Sequence, residues 1–143
     1  MKFSRTVTYA LQATLQLAQA NMGEPVPCSK LASEGGMPER FLLQILRSLV
    51  THGILQSTRG VEGGYTLDRQ PQEISLLEII EAVDGPMNTK MSLSDGLPND
   101  SQSRLRDALT RIATTNREQL HEVKVADLIT PRKRKDELAA AHA

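Results

Sequence analysis

Arg40, Gln44 and Arg47 are side chains of the types that form paired hydrogen bonds with base edges, arginine with guanine and glutamine with adenine. They lie in PERFLLQILRSLVTHG, residues 38–53, with Glu39 and Leu43 on the same outward side. Shortly after, STRGVEGGYTLDR (57–69) places Arg59 and Gly60 beside Gly63, Gly64 and Tyr65. A guanidinium at the tip of such a turn suits the negative potential of a DNA minor groove. The glycines let the backbone turn tightly and approach a duplex closely. The stretch also fits a plain hairpin turn with an exposed arginine. A phosphate cradle of the nucleotide-binding kind is not expected, because no Gly-x-Gly or Gly-Lys-Ser pattern stands between a strand and a helix.

These residues need elements to hold them. Residues 4–20 predict a helix with Val7, Ala10, Leu11, Thr14, Leu15 and Ala18 on its apolar face. NMGEPVP (21–27) breaks it. SKLASEGGM (29–37) predicts a short helix, capped by Ser29 and stopped at Gly35 and Gly36. Residues 38–53 predict a helix with Pro38 at its first position, Leu42, Ile45, Leu46 and Leu49 buried, and Gly53 as the stop. Residues 54–58 and 64–68 alternate as two antiparallel strands, with Tyr65 anchoring the second to the body. SLLEIIEAVDG (75–85) is a helix with a Ser75–Glu78 capping box. The expected architecture is mainly α with a small β-wing: a winged helix-turn-helix followed by a long C-terminal helix.

The polar stretch 86–101 predicts a loop. Residues 102–123 predict a long amphipathic helix whose Leu105, Leu109, Ile112 and Asn116 are spaced four, three, four, as in the seam of a short coiled coil. Asn116 either sets helix register or marks the seam's edge. Residues 124–143 form a C-terminal segment, ending from 130 in a charged, Ala-rich tail expected to be mobile. Its RKRK run (132–135) could touch phosphates or be a solvated surface.

Composition narrows the classes. The chain has 143 residues, 39% hydrophobic and only 3% aromatic, with no tryptophan, so its core is aliphatic. Net charge is zero; the first 70 residues hold seven lysines and arginines against five acids, a net of +2. DNA affinity would therefore come from placement and dimer avidity, not bulk charge. The N-terminal stretch has no long apolar run, so neither a signal peptide nor a membrane span is expected, and the expected location is cytoplasmic. One cysteine, Cys28, excludes an internal disulfide. It reads either as a redox thiol activated at a helix N-terminus or as a small apolar packing residue. His52 is expected to meet the last carbonyls of its helix; His121 and His142 have no ligand spacing. Met87 and Met91 could line an effector pocket or fill space. No nucleophile–base pair or metal spacing points to an enzyme.

YALQATLQLA, VPCSKLASEGGMPERFLLQILRSLVTHGIL, STRGVEGGY and ISLLEIIEAVDG together resemble the winged-helix transcription regulators typified by IscR, NsrR and CymR, from about Phe3 to Gly85. The resemblance implies a DNA-binding domain over 1–85, an effector or sensor loop over 86–101, and a dimerisation helix over 102–123. It implies a homodimeric repressor on a palindromic operator in double-stranded DNA. The family's base-reading positions fall on Pro38, Arg40 and Leu43, its minor-groove arginine on Arg59, and its backbone tyrosine on Tyr9. Two departures matter: Pro38 offers no polar group, and Leu43 cannot accept from cytosine, so the operator should differ from those of relatives. Iron–sulfur members carry three cysteines before the dimerisation helix; residues 86–107 hold none, so no cofactor is expected. A small-molecule effector is left unknown. The competing reading is a winged-helix protein-interaction module that has lost DNA binding.

Overall fold

The computed structural model describes residues 2–20, 23–87, 91–93 and 95–130. Its first helix, α1 (Arg5–Gln19), starts where the Ser4 hydroxyl accepts from the Val7 N–H at 3.2 Å. The buried face is Val7, Ala10, Ala13, Thr14 and Leu17. The expected stripe was offset: Leu11, Leu15 and Ala18 are only half-buried at the margin of the core. α1 is surrounded by several elements, so Ala13 and Leu17, off a single-stripe pattern, are covered as well. Thr14 is tolerated in the core because its hydroxyl donates to the Ala10 carbonyl at 2.7 Å.

α2 (Cys28–Gly35) begins one residue before Ser29, with Pro27 in the capping position, so Ser29 is not the cap. Gly36 ends it at φ +64°. α3 (Glu39–Thr51) buries Leu42, Ile45, Leu46 and Leu49 as its periodicity predicts. Pro38 stands one position earlier than expected, as the cap residue, its carbonyl accepting from Leu42 N–H at 2.9 Å. A His52 ring nitrogen lies 2.8 Å from the Ser48 carbonyl, meeting the helix end as expected.

Strands β1 (Leu55–Thr58) and β2 (Gly64–Leu67) pair antiparallel, Leu55 opposite Leu67 and Thr58 opposite Gly64. A third segment joins them unexpectedly. Val26 donates to and accepts from Tyr65 through the backbone, at 3.0 and 2.9 Å, inside the stretch predicted only as a break. This contact explains Gly64, and the tight turn of the hairpin itself explains Gly63, better than approach to DNA does. A Cβ on Gly64 would stand 2.4 Å from the Val26 carbonyl carbon, and one on Gly63 would stand 2.1 Å from the Thr58 oxygen. Gly64→Ala is therefore expected to destabilise the fold by about 1–3 kcal/mol, by displacing the wing from Val26. Chemical denaturation checks this, with Gly60→Ala, which meets no atom, as the steric control.

α4 (Leu76–Asp84) is capped by Ser75, whose hydroxyl accepts from Glu78 N–H at 3.1 Å. Only that half of the predicted capping box forms as drawn, because the Glu78 carboxylate pairs with Arg69 at 2.5 Å, tying the wing's base to α4. α5 (Asn99–Glu122) starts three residues earlier than predicted and, at 1.5 Å per residue, is about 36 Å long. Only Leu120 of it is buried, against Val7, Leu77 and Ile80.

The segment after α5 is not all tail. Lys124 bridges Ser75, Val125 N–H donates to the Ile74 carbonyl at 2.9 Å, and the Val125 side chain is fully buried in the main core. Val125, with Ile129 packed at the margin of the core, docks this segment, which a composition-based reading of the C-terminus overlooks. RKRK (132–135) and His142 lie outside the described residues.

Candidate nucleic-acid interface

α2, the turn at Gly36 and Met37, and α3 make a helix-turn-helix, with the β1–β2 hairpin directly after it. Along α3, the buried stripe forces the opposite face outward. Glu39, Arg40, Gln44 and Arg47 are exposed there, as is Pro38 just before it. Leu43 is half-buried, so it is less outward than its position predicts. Arg59 and Gly60 are exposed on the hairpin turn, Gly60 at φ +114°, and Val61 beside them is wholly exposed.

Arg40, Arg47 and Arg59 have no ion pair among the described residues, whereas Lys30, Arg69, Arg104 and Arg117 each face a carboxylate. Beside the exposed carboxylates of Glu39 and Glu62, the helix and the hairpin thus present exposed guanidiniums without an ion pair among the described residues. Such groups suit phosphates and base edges.

The hairpin is held in place relative to α3. Tyr65 packs on the margin of the core, and its backbone pairs with Val26. Its hydroxyl titrates above the ordinary range, first because of burial and then because of the Cys28 thiolate, with Arg47 pulling the other way. As a group whose folded pKa is raised, it contributes stability at neutral pH that is lost as pH rises through the alkaline range.

Cys28 is half-buried, its thiol directed at the Glu39 carbonyl at 3.7 Å. Burial, and then the Glu39 carboxylate, push the thiol pKa up. This is the opposite of the lowered value an activated redox thiol needs, and it favours the packing alternative. Alkylation of Cys28 by iodoacetamide at pH 8 is expected to be slower than that of free glutathione, and Glu39→Gln to accelerate it. A thiol that reacts faster than glutathione would contradict this placement.

Sequence reasoning passed over one residue of this surface. Phe41 is 36% exposed, and its ring meets that of Tyr9 from α1 edge to face, centroids 5.8 Å apart at 76°. It lies beside the buried stripe, where an apolar residue reads as core. Its one distinguishing signal is that Leu42 already fills the stripe position.

Farther away, α5 carries an apolar face with no covering element among the described residues. Leu105 is 38% and Ile112 57% exposed, with Leu109 and Asn116 half-buried alongside. Ala108, Arg111, Ile112, Thr115 and Asn116 line a shallow groove of about 350 Å³ there. Glu81 of α4 links the two parts: its carboxylate accepts from Arg117 at 2.7 Å and from the Met87 N–H at 3.2 Å.

A helix-turn-helix with exposed arginines, followed by a braced two-stranded wing and a long terminal helix, defines the winged helix-turn-helix regulators of transcription. Within that class the chain belongs to the Rrf2 family, whose model, described as an iron-dependent transcriptional regulator, matches residues 3–131. A Mycobacterium tuberculosis protein that carries the name of an HTH-type transcriptional regulator is 35% identical over 130 residues, covering 90% of this chain and 81% of that one. The HTH-type transcriptional regulator CymR of Bacillus subtilis is 30% identical, covering 78% of this chain and 83% of its own. The solved structure of B. subtilis CymR, titled the global cysteine regulator, superposes with a TM-score of 0.75 at 28% identity, covering 90% of this chain and 95% of that one. No helix among the described residues is long and apolar enough to cross a membrane.

The family description raises the question of iron. Clusters are held mainly by thiolates, about four of them. This chain supplies one, and its sulfur faces a backbone carbonyl at the α2–α3 contact, far in sequence from the segment between α4 and α5. Among the described residues no three potential ligands converge. The donor set does not fit an iron–sulfur cluster.

Proposed function

We propose that this chain is a homodimeric, sequence-specific DNA-binding repressor that acts in the cytoplasm on a palindromic operator and does not use an iron–sulfur cluster. The observation that carries it is the unpaired arginine set, Arg40 and Arg47 on α3 and Arg59 on a wing braced by Val26. In this reading α3 enters the major groove, where Arg40, Gln44 and Arg47 meet base edges, with Glu39, Pro38 and Leu43 beside them. Arg59 and Gly60 meet the minor groove, and Tyr9 the DNA backbone. Leu105, Leu109, Ile112 and Asn116 meet the same residues of a second copy. Two half-sites then face one side of the duplex about one helical turn apart, or a multiple of it.

Selection of random duplexes with the purified protein at fixed salt tests this. A palindromic consensus is the expected result; enrichment of no sequence would count against it. The second reading, a winged-helix interaction module, draws on the net charge of only +2 over the first 70 residues. It expects no consensus together with salt-sensitive, sequence-independent binding or none.

A further inference from the structure

The apolar residues of α3 are all accounted for by packing except one. Leu42, Ile45, Leu46 and Leu49 are buried, Leu43 and Val50 half-buried, and only Phe41 remains exposed. It is the third residue of α3, in the turn from which recognition helices touch base edges. Its edge-to-face contact with Tyr9 restricts the ring's orientation, so its exposed part is presented in a fixed direction. Pro38 and Gln44, three residues to either side, share its face of the helix and are exposed too. An exposed phenyl ring gains nothing from water. The apolar handle that a major groove offers at base edges is the C5-methyl of thymine.

We propose that Phe41 is a specificity-determining residue that reads a thymine C5-methyl in each operator half-site. The assignment rests on the DNA-binding reading above. It also accounts for the nonpolar character of Pro38 and Leu43: the start of α3 is built for apolar contact, with hydrogen bonding left to Arg40, Gln44 and Arg47. Gln44 suits adenine, so Phe41 and Gln44 together point to A·T pairs under the first turns of α3.

The test uses the consensus duplex recovered by selection, resynthesised with deoxyuridine in place of thymine at one pair of symmetry-related positions at a time. This removes the methyl and leaves every hydrogen-bonding group. At one such pair the Kd of the wild-type protein is expected to rise roughly fourfold for each methyl lost, the worth of one buried methyl group. Phe41→Ala is expected to bind the thymine and deoxyuridine duplexes alike. Phe41→Leu, which keeps an apolar side chain of shorter reach, is expected to retain part of the discrimination, and circular dichroism establishes that both variants fold. A consensus with no deoxyuridine-sensitive position overturns the assignment while leaving the DNA-binding reading intact. So does a sensitive position whose discrimination survives in Phe41→Ala. The absence of any consensus removes both.

Discussion

Arg59→Ala is expected to weaken operator binding by about 1–3 kcal/mol, roughly 5- to 150-fold in Kd, with no change in fold stability beyond about 0.5 kcal/mol. The stability half follows from its surroundings: Arg59 is exposed and has no ion pair among the described residues, so its loss leaves no partner stranded. The binding half follows from the brace. A guanidinium on a free loop would lose much of its contact energy to ordering the loop. Here the strands on either side are already fixed, β1 to β2 and β2 to Val26. Arg59→Lys separates charge from shape. If the side chain lies in a narrow minor groove, lysine recovers only part of the affinity, because its ammonium is more strongly hydrated and lacks the planar fork. Fluorescence anisotropy on the selected duplex gives all three values. Equal affinity for wild type and Arg59→Ala would remove the wing tip from the interface.

The parts of this fold that sequence made legible are those whose signal is periodic or punctuated. α3 is bounded by Pro38 and Gly53 and carries Leu42, Ile45, Leu46 and Leu49 at helical spacing, so its buried stripe was predicted in full and its outward face except for Leu43 and Phe41. The hairpin was visible because Gly63 and Gly64 interrupt two alternating runs. Three features left no such trace. Val26 joins the wing through one residue's backbone, and a single bridge has no period to detect. Val125 docks into the core from a segment too short to show a pattern. Phe41 sits where helical spacing is ambiguous between core and surface, and only its contact with Tyr9 decides the side it faces. The half-formed capping box at Ser75 has the same lesson: Ser75 caps as local rules require, but Glu78 is taken by Arg69, nine residues away. Local rules describe what a side chain can do nearby, and a guanidinium supplied by the tertiary fold competes with them.

Ile112→Asp is expected to convert the proposed dimer to monomer at concentrations where the wild type is fully dimeric. Ile112 is 57% exposed in the single chain, so aspartate costs the isolated fold little. In an isologous pair the same residue is buried from both copies. Each isoleucine, about half of whose surface is left for the partner to cover, forfeits about 1–1.5 kcal/mol, and twofold symmetry doubles this to about 2–3 kcal/mol before any charge desolvation is added. Leu109→Asp acts in the same direction, but Leu109 is already half-buried in its own chain, so it is the less clean probe. Sedimentation equilibrium measures the change. A variant that stays dimeric would move the interface off the Leu105–Asn116 face. Loss of the dimer should also weaken operator binding far more than loss of one arginine does, because two half-sites are then engaged independently and the avidity of a linked pair disappears. The route from this face to the DNA surface runs through few contacts: Arg117 on α5 meets Glu81 on α4, and α4 meets the base of the wing through Glu78 and Arg69. Because Glu81 also holds the Met87 N–H, the segment leaving α4 shares the anchor that ties the terminal helix to the winged domain.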